Sequence, residues 1–92
     1  MFKLLVEVSI LERINSLSKN ETKNLKNRLR SLENDPFPDG KDKKEIKGSK
    51  KSIYRLRSGN YRFFYIINLE DKFIKITEFL TAEQAHRKYG RI

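Results

Sequence analysis

There is no cysteine in this chain of 92 residues, which removes disulfides, thiol catalysis and thiolate metal sites at once. A single histidine, His86, argues against a histidine-built zinc site. No stretch approaches the ~18 apolar residues of a membrane helix; the longest apolar run, Tyr61 to Ile67, is broken by Arg62. The opening MFKLLVEVSI is too short, and charged too early at Lys3 and Glu7, for a secretory signal. No Gly-rich phosphate loop, HExxH or GxSxG pattern occurs, and no catalytic dyad stands out. The expectation is one small domain over residues 1–92, with no cofactor and no metal.

What the chain does have is aromatic residues and positive charge. Six Phe and four Tyr, with many Ile and Leu, can form a small core, so disorder is not expected. The net charge is +9, and it is concentrated: +2 over residues 1–35, +6 over 36–62 and +1 over 63–92. A local excess of this kind suits a phosphate backbone or an acidic protein partner. The plain alternative is a solvated lysine loop over residues 41–51.

Hydrophobic periodicity orders the elements. Phe2 to Val8 reads as a half-buried strand. Ser9 and Glu12 form a capping box, followed by the helical stripe Ile10, Leu11, Ile14 and Leu17. Ser18 and Glu21 repeat the box and open a second helix whose Leu25, Leu29 and Leu32 share a face. Its other face carries Lys23, Lys26, Asn27 and Arg30, and Asp35-Pro36 is expected to end it. Residues 36–51 are polar and lysine-rich, with Ile46 alone as a short strand or anchor. Ile53 to Arg57, Tyr61 to Ile67 and Phe73 to Phe79 then read as three strands, the first pair joined at Ser58-Gly59-Asn60. Ile74 and Ile76 share a face, and Thr81 or Ala82 to Tyr89 forms a short basic tail of one or two helical turns. The predicted class is α+β: an N-terminal strand, a helical hairpin and a three-stranded antiparallel meander. The sheet would have about four strands, with the helices on one face and a short C-terminal helix or tail.

The densest chemistry lies in Tyr54-Arg55-Leu56-Arg57-Ser58-Gly59-Asn60-Tyr61-Arg62. Alternation places Arg55 and Arg57 on one face, and Arg62 joins them if the hairpin register allows. Arginine offers phosphate a planar fork that stays charged. The competing reading is cross-strand pairing of these arginines with Glu78, Asp71 or Glu45. Glu78 and Glu83 form an unremarkable carboxylate pair. At the C-terminus, His86, Arg87, Lys88 and Tyr89 put an imidazole, two cations and a phenol together, able to move a proton and stabilise a phosphorane. The alternative there is a frayed basic terminus.

The order strand, helical hairpin, Pro-containing loop, "IKGS…YRLRSGNYRFFYII" and "IKITEF" resembles the RelE/ParE toxin superfamily, the small basic toxins of toxin–antitoxin pairs. Its most specific part is Lys47-Gly48 followed by Tyr54-Arg55-Leu56-Arg57-x-Gly59-x-Tyr61-Arg62. The resemblance implies a metal-independent, ribosome-dependent endoribonuclease that cleaves mRNA in the decoding site by attack of a ribose 2′-hydroxyl on the adjacent phosphorus. It puts the family's sheet arginine at Arg62, a second basic position at Arg55 and a third at Arg57. Catalytic candidates are therefore Arg62, Arg55, His86 and Tyr89. Phosphate-binding candidates are Lys47, Arg57, Lys50, Lys51, Arg87 and Lys88. The implied partners are an acidic, RelB-like antitoxin, the ribosome and mRNA, with no membrane. The implied state is a cytoplasmic, monomeric toxin within a toxin–antitoxin hetero-oligomer.

The sequence departs from the family at its end. The expected catalytic arginine aligns with Ala82 and the expected tyrosine with His86. Three explanations stand side by side: a weak or inactive toxin, His86, Arg87 or Tyr89 in the missing roles, or an Ala82 that is itself an introduced substitution. The alternative functions are a ParE-like toxin that binds DNA gyrase without cleaving anything, and a degenerate toxin that only binds its antitoxin.

Overall fold

A computed structural model describes residues 1–46 and 52–90. The elements are β1 (Lys3–Val6), α1 (Val8–Asn15), α2 (Lys19–Ser31), β2 (Lys43–Ile46), β3 (Ile53–Ser58), β4 (Tyr61–Asn68), β5 (Phe73–Thr81) and α3 (Ala82–Tyr89). The α+β class holds, but the sheet has five strands rather than four, in the order β1-β5-β4-β3-β2. The extra strand, β2, lies in the polar stretch. With three of its four residues charged and only Ile46 aliphatic, it carries little strand signal, and it occupies a sheet edge, where charge opposes edge-to-edge pairing. β1 joins the other edge, parallel to β5, while every remaining pair is antiparallel.

The first helix begins earlier than its sequence suggests. Glu7 occupies the N-cap position of α1 without a side-chain cap bond, so the Ser9–Glu12 box does not form. The second box holds in part: the Ser18 hydroxyl accepts from the Glu21 amide. α2 stops at Ser31, before Asp35-Pro36, because Leu32 and Glu33 turn tightly and donate to the carbonyls of Leu29 and Arg30.

α1 and α2 cover one face of the sheet. Ile10, Ile14, Leu25, Leu29 and Leu32 pack there against Leu56, Phe63, Tyr65, Ile74, Ile76 and Phe79. Strict alternation along β5 would send Phe79 to the face opposite Ile74 and Ile76. A bulge at Thr77, where the register shifts between Phe64 and Tyr65, returns Phe79 to the core. The same bulge places Glu78 on the other face. Tyr65 is fully buried, and its hydroxyl donates to the Pro36 carbonyl at 2.8 Å, tying the loop after α2 to the sheet.

The second face is covered in part by α3. Thr81 ends β5 and caps α3 directly: its hydroxyl accepts from the Gln84 amide, and the Gln84 side chain accepts from the Thr81 amide. The chain therefore reverses without a loop and lays Ala85 and Tyr89 against Phe64, Ile46, Ile53 and Leu80. Among the described residues, no helix is long and apolar enough to cross a membrane.

Candidate functional site

The turn joining β3 and β4 fixes the arginines. Ser58 pairs with Tyr61, so the loop is only Gly59-Asn60, and Gly59 takes a positive φ of 57° at its first position. This register sets Arg57 directly opposite Arg62 and Arg55 opposite Phe64. All three arginines thus leave the face that α3 partly covers, and all three belong to strands in the middle of the sheet. Like charges directly opposite on neighbouring strands destabilise a sheet, so this pair is held against its own repulsion.

Each arginine is held differently. Arg55 is buried, 3% exposed, and its Nη2 donates to the carbonyls of Lys41 at 3.1 Å and Asp42 at 3.4 Å. Its Nε is also buried and has no hydrogen-bond partner among the described residues. Arg62 curls over the turn and donates through Nη1 to the carbonyls of Gly59 and Tyr61. Arg57 gives both Nε and Nη2 to Asp42 Oδ1, at 3.2 Å each. Asp42 Oδ2 accepts from Arg28 of α2, also at 3.2 Å. The acidic partner is therefore Asp42, and not Glu78, Asp71 or Glu45. Sequence gave no signal for it, because Asp42 precedes β2 in a loop whose course is set by tertiary contacts.

Burial lowers the Arg55 pKa, and the charges of Arg62 and Arg57 lower it further. Burial, and then Arg57, also lower that of Arg62. One carboxylate thus serves a cluster of crowded cations, and an added anion would relieve the excess. The loop that supplies Asp42 is itself set by Asp39, whose Oδ1 accepts from the amides of Lys41 and Lys43. Those amide bonds hold its carboxyl below the ordinary value. Arg57 and Asp42 also border a pocket of about 600 Å³ between α2 and the β3–β4 turn, shared with Arg28, Asn24 and Tyr61.

The C-terminal candidates separate. Tyr89 lies 4.6 Å from Phe64, ring to ring, and its hydroxyl donates to Glu78. Burial and that bond push its pKa up to about 12. Lys88 donates to the other oxygen of Glu78 at 2.5 Å. Glu78 is thus the latch that fastens α3 to β5. Glu83 instead faces Arg87 on the outside of α3, at 4.0 Å, so the two glutamates have separate partners. His86 is exposed beside Ala85. Ala82 is the first residue of α3, at the junction with β5. Lys47, Lys50 and Lys51, with Gly48 of the motif, lie outside the described residues. Among the described residues no group of three or more His, Cys, Asp or Glu is assembled for a metal ion.

The sequence and the fold are similar to those of known proteins. A protein of Methanocaldococcus jannaschii named as toxin RelE1 is 29% identical over 87 residues, covering 94% of this chain and 96% of that one. The crystal structure of the archaeal RelE–RelB complex from Pyrococcus horikoshii OT3 superposes with a TM-score of 0.75 at 28% identity, covering 87% of this chain and 93% of that one. In sequence and in fold the chain is similar to RelE toxins. The RelB–RelE complex from Methanococcus jannaschii shares the fold, with a TM-score of 0.65 at 22% identity over 92% of this chain and 98% of that one. No family model matches the sequence. In this RelE-like fold Arg55, Arg57 and Arg62 converge on the meander, on the face that α3 partly covers.

Proposed function

We propose that this RelE-like toxin is a ribosome-dependent endoribonuclease that cleaves mRNA. The observation that carries this reading is the cross-strand pair Arg57 and Arg62 above buried Arg55. A phosphate between Arg57 and Arg62 receives two planar forks from a rigid sheet, with Arg55 reinforcing the field from beneath. The reaction needs no external cofactor. A ribose 2′-oxygen loses its proton and bonds to phosphorus, the bond to the 5′-oxygen breaks, and that oxygen takes up a proton. The arginines stabilise the charge on the non-bridging oxygens. His86, with Arg87 and Lys88 on the same helix, is the candidate proton carrier.

Regulation follows from the charge. RelE–RelB complexes are formed by the structural relatives, and the partner inferred for this chain is an acidic antitoxin. Such a chain would lie on the arginine face, and its affinity would weaken with salt.

A second reading, a toxin that binds DNA gyrase without cleaving RNA, is favoured by Ala82 at the head of α3 and by the engagement of Tyr89 with Glu78. The two readings part in one comparison. The protein is added to a translating extract and, separately, to gyrase with relaxed plasmid. Truncated mRNA with normal supercoiling supports the nuclease; intact mRNA with blocked supercoiling supports the alternative.

A further inference from the structure

The arginine face leaves the pocket between α2 and the β3–β4 turn without a role. That pocket differs from the rest of the molecule in charge. In a chain of net charge +9, its wall carries two cations, Arg28 and Arg57, and two carboxylates, Glu21 and Asp42. It therefore offers no net attraction to a phosphate, and its volume of about 600 Å³ is that of a small-molecule site. The wall is ordered along α2. Glu21, Asn24 and Arg28, spaced by three and four residues, share one face of the helix. At one end the Glu21 carboxylate accepts from the Ser18 hydroxyl at 3.1 Å and the Tyr61 hydroxyl at 3.4 Å, and keeps lone pairs for further bonds. At the other end Arg28 commits Nη2 to Asp42 and to the Arg57 carbonyl, while its Nε and Nη1 have no hydrogen-bond partner among the described residues. Asn24, between them, can both donate and accept. Glu21 and Arg28 are about 10 Å apart along the helix axis. That separation has room for a base edge with a ~3 Å hydrogen bond at either end. Leu25 and the ring of Tyr61, which stacks on Phe79 at 5.1 Å, supply apolar surface.

We propose that this pocket binds a free, uncharged purine nucleoside of the guanine type. An acceptor at one end and a donor at the other match a base edge on which donors and an acceptor stand side by side. Guanine has that edge: N1–H and the exocyclic amine donate to Glu21, and O6 accepts from Arg28. Adenine would instead turn its unprotonated N1 toward a carboxylate. The neutral wall favours a nucleoside over a nucleotide or an RNA strand, whose phosphates gain nothing there. Asp42 also clamps Arg57, so an occupied pocket shares a wall residue with the arginine face. Binding needs neither ribosome nor cleavage, and this inference stands apart from the ribonuclease reading.

The test is an NMR titration of the free protein with guanosine, inosine and adenosine. Guanosine should shift the amides of α2 around Asn24 and those of the β3–β4 turn. Inosine lacks the exocyclic amine and should bind about tenfold more weakly, the usual worth of a hydrogen bond to a charged group. Adenosine should bind more weakly still. Glu21→Gln should weaken guanosine binding about tenfold, with thermal midpoints checking that the fold stands. Asn24→Leu, at an exposed position of α2, should weaken it independently. Absence of shifts at millimolar guanosine, equal affinity for guanosine and adenosine, or undiminished binding in both variants overturns the proposal. So does a dinucleotide, uridylyl-guanosine, that binds more than about tenfold tighter than guanosine and loses that gain in Arg57→Ala. That result would assign the pocket to a base of the substrate strand.

Discussion

Asp42 holds Arg57 by one edge: Nε and Nη2 both donate to Oδ1, and Nη1 has no hydrogen-bond partner among the described residues. The backbone reinforces the pairing, since the Arg57 amide donates to the Asp42 carbonyl at 2.8 Å. A carboxylate placed this way orients the guanidinium and leaves its other donors to a phosphate. Asp42→Asn keeps an acceptor at Oδ1 and should retain most cleavage. Asp42→Ala should raise RNA affinity, because a negative charge is gone, yet lower the cleavage rate about tenfold, or ~1.4 kcal/mol. Single-turnover kinetics at saturating and limiting protein separate the two effects. Equal rates in both variants would reduce Asp42 to a screening charge.

The α3 latch predicts an alkaline response. Tyr89 titrates at about 12 in the folded protein, against an ordinary value of 10.0. A folded pKa raised above the unfolded one favours the protonated, folded form. Its contribution is complete below pH 10 and is lost as pH rises through 12. Tyr89→Phe should destabilise the protein by about 1 kcal/mol at neutral pH. The gap between variant and wild type should close between pH 10 and 12, as followed by chemical denaturation.

At the β5–α3 junction two of the three explanations of the departure give opposite outcomes. If His86 exchanges the proton, His86→Gln should lower cleavage roughly 10²-fold with ribosome binding little changed. If Ala82 is the deficit, Ala82→Arg should raise cleavage, by up to ~3 kcal/mol of transition-state stabilisation, while His86→Gln does little. Both variants are read by the yield of cleaved mRNA.

Much of the molecule was legible where local pattern and final fold agree. The alternation around Tyr54–Arg57 and the turn signal Ser58-Gly59-Asn60 identified the central hairpin, although Ser58 proves to be the last paired residue of β3, and the leucines of α2 identified its buried face. What escaped was set by tertiary contacts. β2 is charged and depends on pairing with β3. The bulge at Thr77 changes the parity of β5, so Phe79 and Glu78 exchange the faces that alternation assigns them. Ser9 has the chemistry of a cap, yet α1 has already begun at Val8. In the site, the arginines were visible as a motif, but Asp42, Arg28 and the Glu78 latch reach their partners across long separations that no local pattern records.

The most direct measurement is to map mRNA 5′ ends in a translating extract treated with wild type, Arg57→Ala, Arg62→Ala and the double variant. Both arginines are on a preformed sheet, and each lost charge contact should cost on the order of 2 kcal/mol, about thirtyfold. The account predicts new ends at codons in the ribosomal decoding site with wild type, sharply fewer with either single variant and none above background with the double variant. Intact mRNA under wild-type protein that still halts translation in the extract, or ends that persist undiminished in the double variant, would contradict it.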